Sequence, residues 1–181
     1  MLPEYFTIYL IGFSGVGKTT VGAKLAQKLE ASFFDIDAEI VKKENKEIVD
    51  IFRIKGEQYF RYLEVEMTQK ISNKRNKKKV ISLGGGAFEN KEIRHCVKEH
   101  GIAIYLSACQ QKIFKRIKSK TNRPLLKNND NQEKMSAADL KKQIQTLMST
   151  RLENYKKADI RIAIQSKTVS QLVNEIYGKL V

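Results

Sequence analysis

The stretch that most constrains this chain is Gly12 to Thr19, GFSGVGKT, which fits G-x-x-x-x-G-K-[ST], the spacing of a loop that wraps nucleotide phosphates. An apolar run, Phe6 to Ile11, precedes it and reads as a buried parallel strand. Behind it Val21, Leu25 and Leu29 mark one face of a helix. Strand, loop and helix in that order aim backbone N–H groups and a helix N-terminus at one anion. Gly12, Gly15 and Gly17 then let the backbone approach the phosphates, with Ser14 and Val16 between them and Thr20 in the first helical turn. Lys18 would reach the β- and γ-phosphates, and the Thr19 hydroxyl would ligate magnesium. The plain alternative is a Gly/Ser turn before an ordinary helix, with Lys18 at the surface. Agreement between element order and motif favours the phosphate loop, and with it a bound triphosphate.

Short apolar segments alternate with helical patterns along the rest of the chain. Strands are expected at Ala31 to Phe34, Val80 to Leu83, Ile102 to Leu106 and Ile160 to Ile164. Asp37 is placed to cap the helix carrying Ile40 and Val41. Gly56 divides a short helix (Ile48, Ile51, Phe52) from a longer one with Phe60, Leu63, Val65, Met67 and Ile71. Helices are also expected over Asn90 to Val97, around Ile113, Phe114 and Ile117, and over roughly Ala137 to Lys157. Thr168 to Gln171 has the spacing of a capping box before the last one. Between them, 119–132 breaks all periodicity and reads as an exposed mobile loop of lid length. This alternation predicts an α/β fold, a parallel sheet covered on both faces, within one domain. Ligands of such sheets bind outside the C-terminal ends of the strands. GFSGVGKT, Asp35-Ile36-Asp37 and Gly84-Gly85-Gly86 all fall there.

A length of 181 residues suits one sizeable core. No apolar run is long enough to cross a bilayer, and the first strand begins almost at once, which points to a cytoplasmic protein. Cys96 and Cys109 form no framework and read as free thiols; His95 and His100 have no ligand set around them that suggests zinc. The net charge of +14 favours anionic partners without choosing between a phosphorylated metabolite and a nucleic acid. The dense run Lys70 to Lys79 reads as a solvated connection, and no aromatic residues interleave the lysines as nucleic-acid binding would want. No guanine-reading N-K-x-D is present, and the third strand ends in glycines instead of the acidic pair of a motor ATPase.

Phosphoryl transfer to a small acceptor suits the remaining residues. Asp35 could hold magnesium through water, and Asp37 could orient or deprotonate a hydroxyl. Arg61 and Arg151 could grip a carboxylate bidentately, while Lys18 and a lid arginine offset charge on the transferred group. Each has a structural alternative: Asp37 as a helix cap, Arg61 paired with Glu57 or Glu64, Arg151 as a solvated helix charge.

The chain resembles shikimate kinases over essentially its whole length. GFSGVGKT at 12–19, DID at 35–37, IF at 51–52, GE at 56–57, FR at 60–61 and Glu64 carry the likeness. So do LGGGA at 83–87, RP-LL at 123–126 and R-x-x-x-Y-x-x-A from Arg151 to Ala158. The resemblance implies a three-layer α/β/α fold of the P-loop, nucleoside monophosphate kinase type, with strand order 2-3-1-4-5 and a mobile lid. It implies transfer of the γ-phosphoryl of ATP to the 3-hydroxyl of shikimate, with magnesium, in aromatic amino-acid biosynthesis. Lys18, Asp37 and Arg123 would then be catalytic, Arg123 being the lid arginine that also reaches the ATP phosphates. Arg61, Arg151, Asp37 and Gly84 to Gly86 would hold shikimate, and Thr19 and Asp35 the metal. Arg116 with Gln165, Ser166 and Lys167 would lie on the adenine side. The expected partners are ATP and shikimate, with a monomeric protein and neither membrane nor nucleic acid. Another small-metabolite kinase, such as a gluconate kinase, and a basic nucleotide-dependent nucleic-acid module are the rival readings. One departure stands in the acceptor-side helices: Asn45 occupies a position where the family commonly has glycine.

Overall fold

The computed structural model describes residues 4–74, 77–118 and 136–181. Arg123 and the lid expected at 119–132 lie outside the described residues.

β1 (Thr7–Ile11) is buried throughout and lies at the centre of a five-stranded sheet. Around it stand β2 (Ser32–Asp35), β3 (Lys79–Ser82), β4 (Ile102–Ser107) and β5 (Ile160–Ala163), in the order β2-β3-β1-β4-β5. Each neighbouring pair is parallel. Alternation along β1 sends Ile8 and Leu10 to one face and Tyr9 and Ile11 to the other, which builds two separate cores. On the first face pack α1 (Lys18–Lys28), α5 (Gln110–Lys118) and α7 (Val169–Leu180), through Leu25, Ile113 and Ile176. The second face is covered by α3 (Ile48–Ser72) and α4 (Lys91–His100), through Leu63, Met67 and Ile93. This is the three-layer α/β/α arrangement.

α6 (Ala137–Tyr155) joins the layers, with Leu140 and Ile144 in the first core and Tyr155 in the second. α2 (Ile36–Glu44) follows β2 without a linker. Asp35, not Asp37, caps it, accepting from the Ala38 N–H at 3.3 Å. Asp37 therefore sits inside the first turn, a correction to its reading as a cap. At the other end Asn45 adopts the left-handed conformation (φ 50°, ψ 39°). Asparagine tolerates that region, so the helix ends as it would with glycine. Gly56 breaks α3 with φ 79° and ψ 170°, as the two-helix reading required.

Lys79 departs from the solvated reading of the lysine run. It is a strand residue, buried, and its ammonium donates to the carbonyls of Ile71, Ser72 and Lys74 at 3.2, 2.6 and 2.7 Å. A buried lysine thus closes the C-terminal end of α3, where helix carbonyls lack N–H partners.

Register decides where the ligand cleft lies. Leu10, Ser82 and Asp35 fall in one row across β1, β3 and β2. The segments that follow those three strands therefore start side by side at one edge of the sheet.

Candidate active site

The phosphate loop leaves β1 with left-handed glycines at three places, Gly12 (φ 140°), Gly15 (φ 80°) and Gly17 (φ 107°). A Cβ on Gly12 would stand 2.5 Å from the Leu106 carbonyl oxygen, so the loop lies against the end of β4 and tolerates no side chain there. Lys18 is buried and folds back over the loop, donating to the carbonyls of Gly12 (2.8 Å) and Phe13 (3.2 Å). Arg116 reaches across from α5 to the carbonyls of Gly15 and Val16, at 3.3 and 2.7 Å. On the same helix Lys112 donates to the carbonyls of Ile164 and Gln165 at 2.9 and 3.2 Å. α5 thus touches both the loop and the segment Gln165, Ser166, Lys167. Thr20 is exposed beside Thr19 in the first turn of α1, and Ser14 is half-buried.

Across the cleft, Thr19 donates its hydroxyl to the Asp35 carboxylate at 2.6 Å. One carboxylate oxygen caps α2 and the other holds the threonine, which pins two hard oxygen donors together at the mouth of the phosphate loop.

The glycine triplet sits between these groups and the acceptor-side helices. A Cβ on Gly85 would lie 2.8 Å from the Ser14 nitrogen, so this loop rests directly on the phosphate loop. One on Gly84 would collide with Glu64 Oε1 and come within 2.9 Å of Asp37 Oδ1. One on Gly86 would lie 3.0 and 3.1 Å from the two Nη atoms of Arg61, and 3.3 Å from Arg151 Nη2. Two guanidinium groups, from α3 and α6, therefore converge over one glycine, with two carboxyl groups over the glycine two residues earlier.

Packing orients both arginines. Arg61 donates to Glu57 and Glu64 at 2.7 Å each, on either side of it along α3. Its alternative as an ion-pair residue thus holds together with its place in the cleft: the pairs aim the guanidinium. Arg151 is 7% exposed, which excludes the reading as a solvated charge. It donates to the Gly85 carbonyl at 3.0 Å and lies 5.4 Å from the Phe13 ring. The Tyr155 hydroxyl also donates to Gly85, and its ring stacks on Tyr105 at 4.9 Å.

Glu64 entered the sequence reading only as an ion-pair partner for Arg61 and as part of the family likeness, without a place in the site. It is 1% exposed, and Oε1 accepts no hydrogen bond among the described residues. Burial pushes its carboxyl up to about 7, against the pull of Arg61, while Asp37 adds like-charge repulsion. Its i+3 spacing from Arg61, and the i+4 spacing of Tyr155 from Arg151, mark neighbours on one helix face, but neither spacing tells that both residues face the glycine triplet.

Comparison with known proteins agrees with this geometry. A family profile described as shikimate kinase matches residues 14–181. The shikimate kinase of Persephonella marina is 44% identical over 173 residues, covering 96% of this chain and 98% of that one. Shikimate kinase from Acinetobacter baumannii, solved in complex with shikimate, superposes with a TM-score of 0.87 at 30% identity, covering 97% and 93% of the two chains. A gluconokinase from Sinorhizobium meliloti reaches a TM-score of 0.58 at 16% identity, with 99% and 93% covered, which is a likeness of fold alone. A phosphate loop set against a glycine triplet, two converging arginines and a full-length match at this identity have one common explanation: the chain belongs to the shikimate kinase family.

Proposed function

We infer that this protein transfers the γ-phosphoryl group of ATP to the 3-hydroxyl of shikimate, giving shikimate 3-phosphate and ADP. Convergence of Arg61 and Arg151 over Gly86, beside Asp37 and against the phosphate loop, carries this reading. A ring carboxylate fits between two planar guanidinium groups, each able to donate two parallel hydrogen bonds. Binding there places the hydroxyl face of the ring toward Asp37.

In this reading Asp37 orients the acceptor hydroxyl and takes its proton as the oxygen attacks phosphorus. Lys18 exchanges its two loop carbonyls for the β- and γ-phosphate oxygens, and Arg123 contributes from the lid. The backbone of Gly84 to Gly86 lines the acceptor, where a methyl group would intrude. Backbone N–H groups from Gly12 to Thr20 cradle the phosphates. Arg116 and Gln165 to Lys167 flank the adenine. Thr19 and Asp35 fit magnesium, since a hydroxyl and a carboxylate 2.6 Å apart are the hard oxygen donors it selects. When bound, magnesium supplies positive charge to the phosphate oxygens; Thr19 would ligate it directly and Asp35 through water.

Among the described residues no helix is long and apolar enough to cross a membrane. We place the enzyme in the cytoplasm as a single-domain monomer. ADP release from magnesium–ATP, with shikimate, gluconate or buffer, tests the assignment. Stimulation by shikimate alone is expected; equal stimulation by gluconate, or none by shikimate, would overturn it.

A further inference from the structure

The second face of the sheet is unevenly covered. α3 and α4 lie over its centre, and the part formed by β4 and β5 is left to α6. Tyr105 and Arg161 are register partners there, both pointing to that face. Between them and the α6 residues Met148, Ser149 and Leu152 is a cleft of about 330 Å³. That lies at the small end of ligand pockets, which run from about 300 to 1,000 Å³, and suits a single ring.

Its chemistry is one-sided. Among the described residues no acidic side chain lines the cleft, and Arg161 does. Among the described residues no carboxylate pairs with Arg161. Its Nε makes a long hydrogen bond to Ser107 Oγ at 3.4 Å, and its guanidinium lies 5.8 Å from the Tyr105 ring. Arg161 is solvent-exposed on the edge strand, and a cation on an aromatic floor with no described carboxylate paired to it attracts an anion. Tyr105, Met148 and Leu152 offer the flat, polarisable surface that an aromatic ring prefers.

We propose that this cleft is a second ligand site, for an aromatic monocarboxylate whose carboxylate pairs with Arg161 while its ring packs between Tyr105 and α6. The site lies back to back with the acceptor cradle. Tyr155 lines the cleft and donates to Gly85, and Phe13 lines it while facing Arg151. A ligand here contacts the side chains that hold the glycine triplet without entering the acceptor site, and it meets the proposed adenine side at Gln165, which also lines the cleft.

The probe is 4-hydroxybenzoate, titrated calorimetrically into the full chain saturated with ADP and shikimate, with neutral 4-hydroxybenzamide as control. Saturable binding of the acid and not the amide is expected. Arg161→Gln should weaken it by about tenfold or more, the scale of a lost charge-assisted pair. Ala163→Trp, which fills the cleft from β5, should abolish it. Both variants should keep shikimate-stimulated ADP release, which shows that they fold. The proposal is overturned by absence of saturable binding, by displacement with shikimate or ADP, by equal binding of the amide, or by unchanged affinity in Arg161→Gln.

Discussion

At the residue scale, Glu64 and Asp37 are the two carboxyl groups that lie beside Gly84. Glu64 has its carboxyl raised from 4.5 to about 7, so the native protein holds that proton more tightly than the unfolded chain. The resulting stability is complete below pH 4.5 and is lost as pH rises through about 7. Relative to Glu64→Gln, the ligand-free protein should lose on the order of 3 kcal/mol between about pH 4.5 and pH 8. Denaturant melts across that range measure it, and parallel curves would remove Glu64 as the titrating group. Asp37 faces the acceptor hydroxyl in the proposed reaction. Asp37→Asn should keep ATP affinity and lower kcat by about 10²-fold or more, the usual worth of a general base. An unchanged kcat would end that role. Arg61→Ala and Arg151→Ala should raise the KM for shikimate by about tenfold or more while leaving that for ATP within about twofold. Steady-state kinetics separates this from general damage, which would move both.

At the element scale, helix ends do much of the positioning. Asp35 caps α2 and in the same geometry holds Thr19, so the start of one helix ties the acceptor side to the phosphate loop. The break at Gly56 starts the second half of α3 in a new direction, which carries Glu57, Arg61 and Glu64 along one side toward the cleft. At the far end of α3, Lys79 supplies the donors for three carbonyls. Lys79→Met should therefore cost about 2–3 kcal/mol of stability, because buried carbonyls lose their partners, with both KM values unchanged. Equilibrium unfolding reads this out, and a loss below about 0.5 kcal/mol would show that water replaces the ammonium.

At the scale of the whole molecule, the parallel sheet brings three loops to one edge, in a chain whose net charge is +14. Both substrates of the proposed reaction are anions, so the charge acts as a steering field. kcat/KM for shikimate should fall severalfold as salt rises from about 0.02 to 0.5 M, with kcat little changed, because screening shortens the reach of surface charge from about 20 Å to a few. A flat kcat/KM would leave the basic surface without a part in catalysis.

The elements, their alternation and a parallel sheet covered on both faces were legible in the sequence, because short apolar runs, helical spacing and glycine punctuation are local signals; the strand order came only with the resemblance to a known family. The phosphate loop was legible for the same reason: GFSGVGKT requires its neighbours only in sequence. Asp37 shows the limit. A capping residue and a residue inside the first turn of the helix differ by two positions, and the hydrogen bond from Thr19 to Asp35, between separate elements, accompanies the choice. Lys79 looked like one more solvated lysine until β3 paired beside β1 and set its ammonium under the end of α3. Arg61 and Arg151 lie 90 positions apart in the chain, and spacing alone left each between ligand and ordinary helix charge. Their meeting over Gly86 depends on the break at Gly56 and on α6 crossing the sheet. The sequence by itself determined the elements and the phosphate-binding chemistry; tertiary structure decided which charges face each other, because burial and long-range approach are properties of the packed chain.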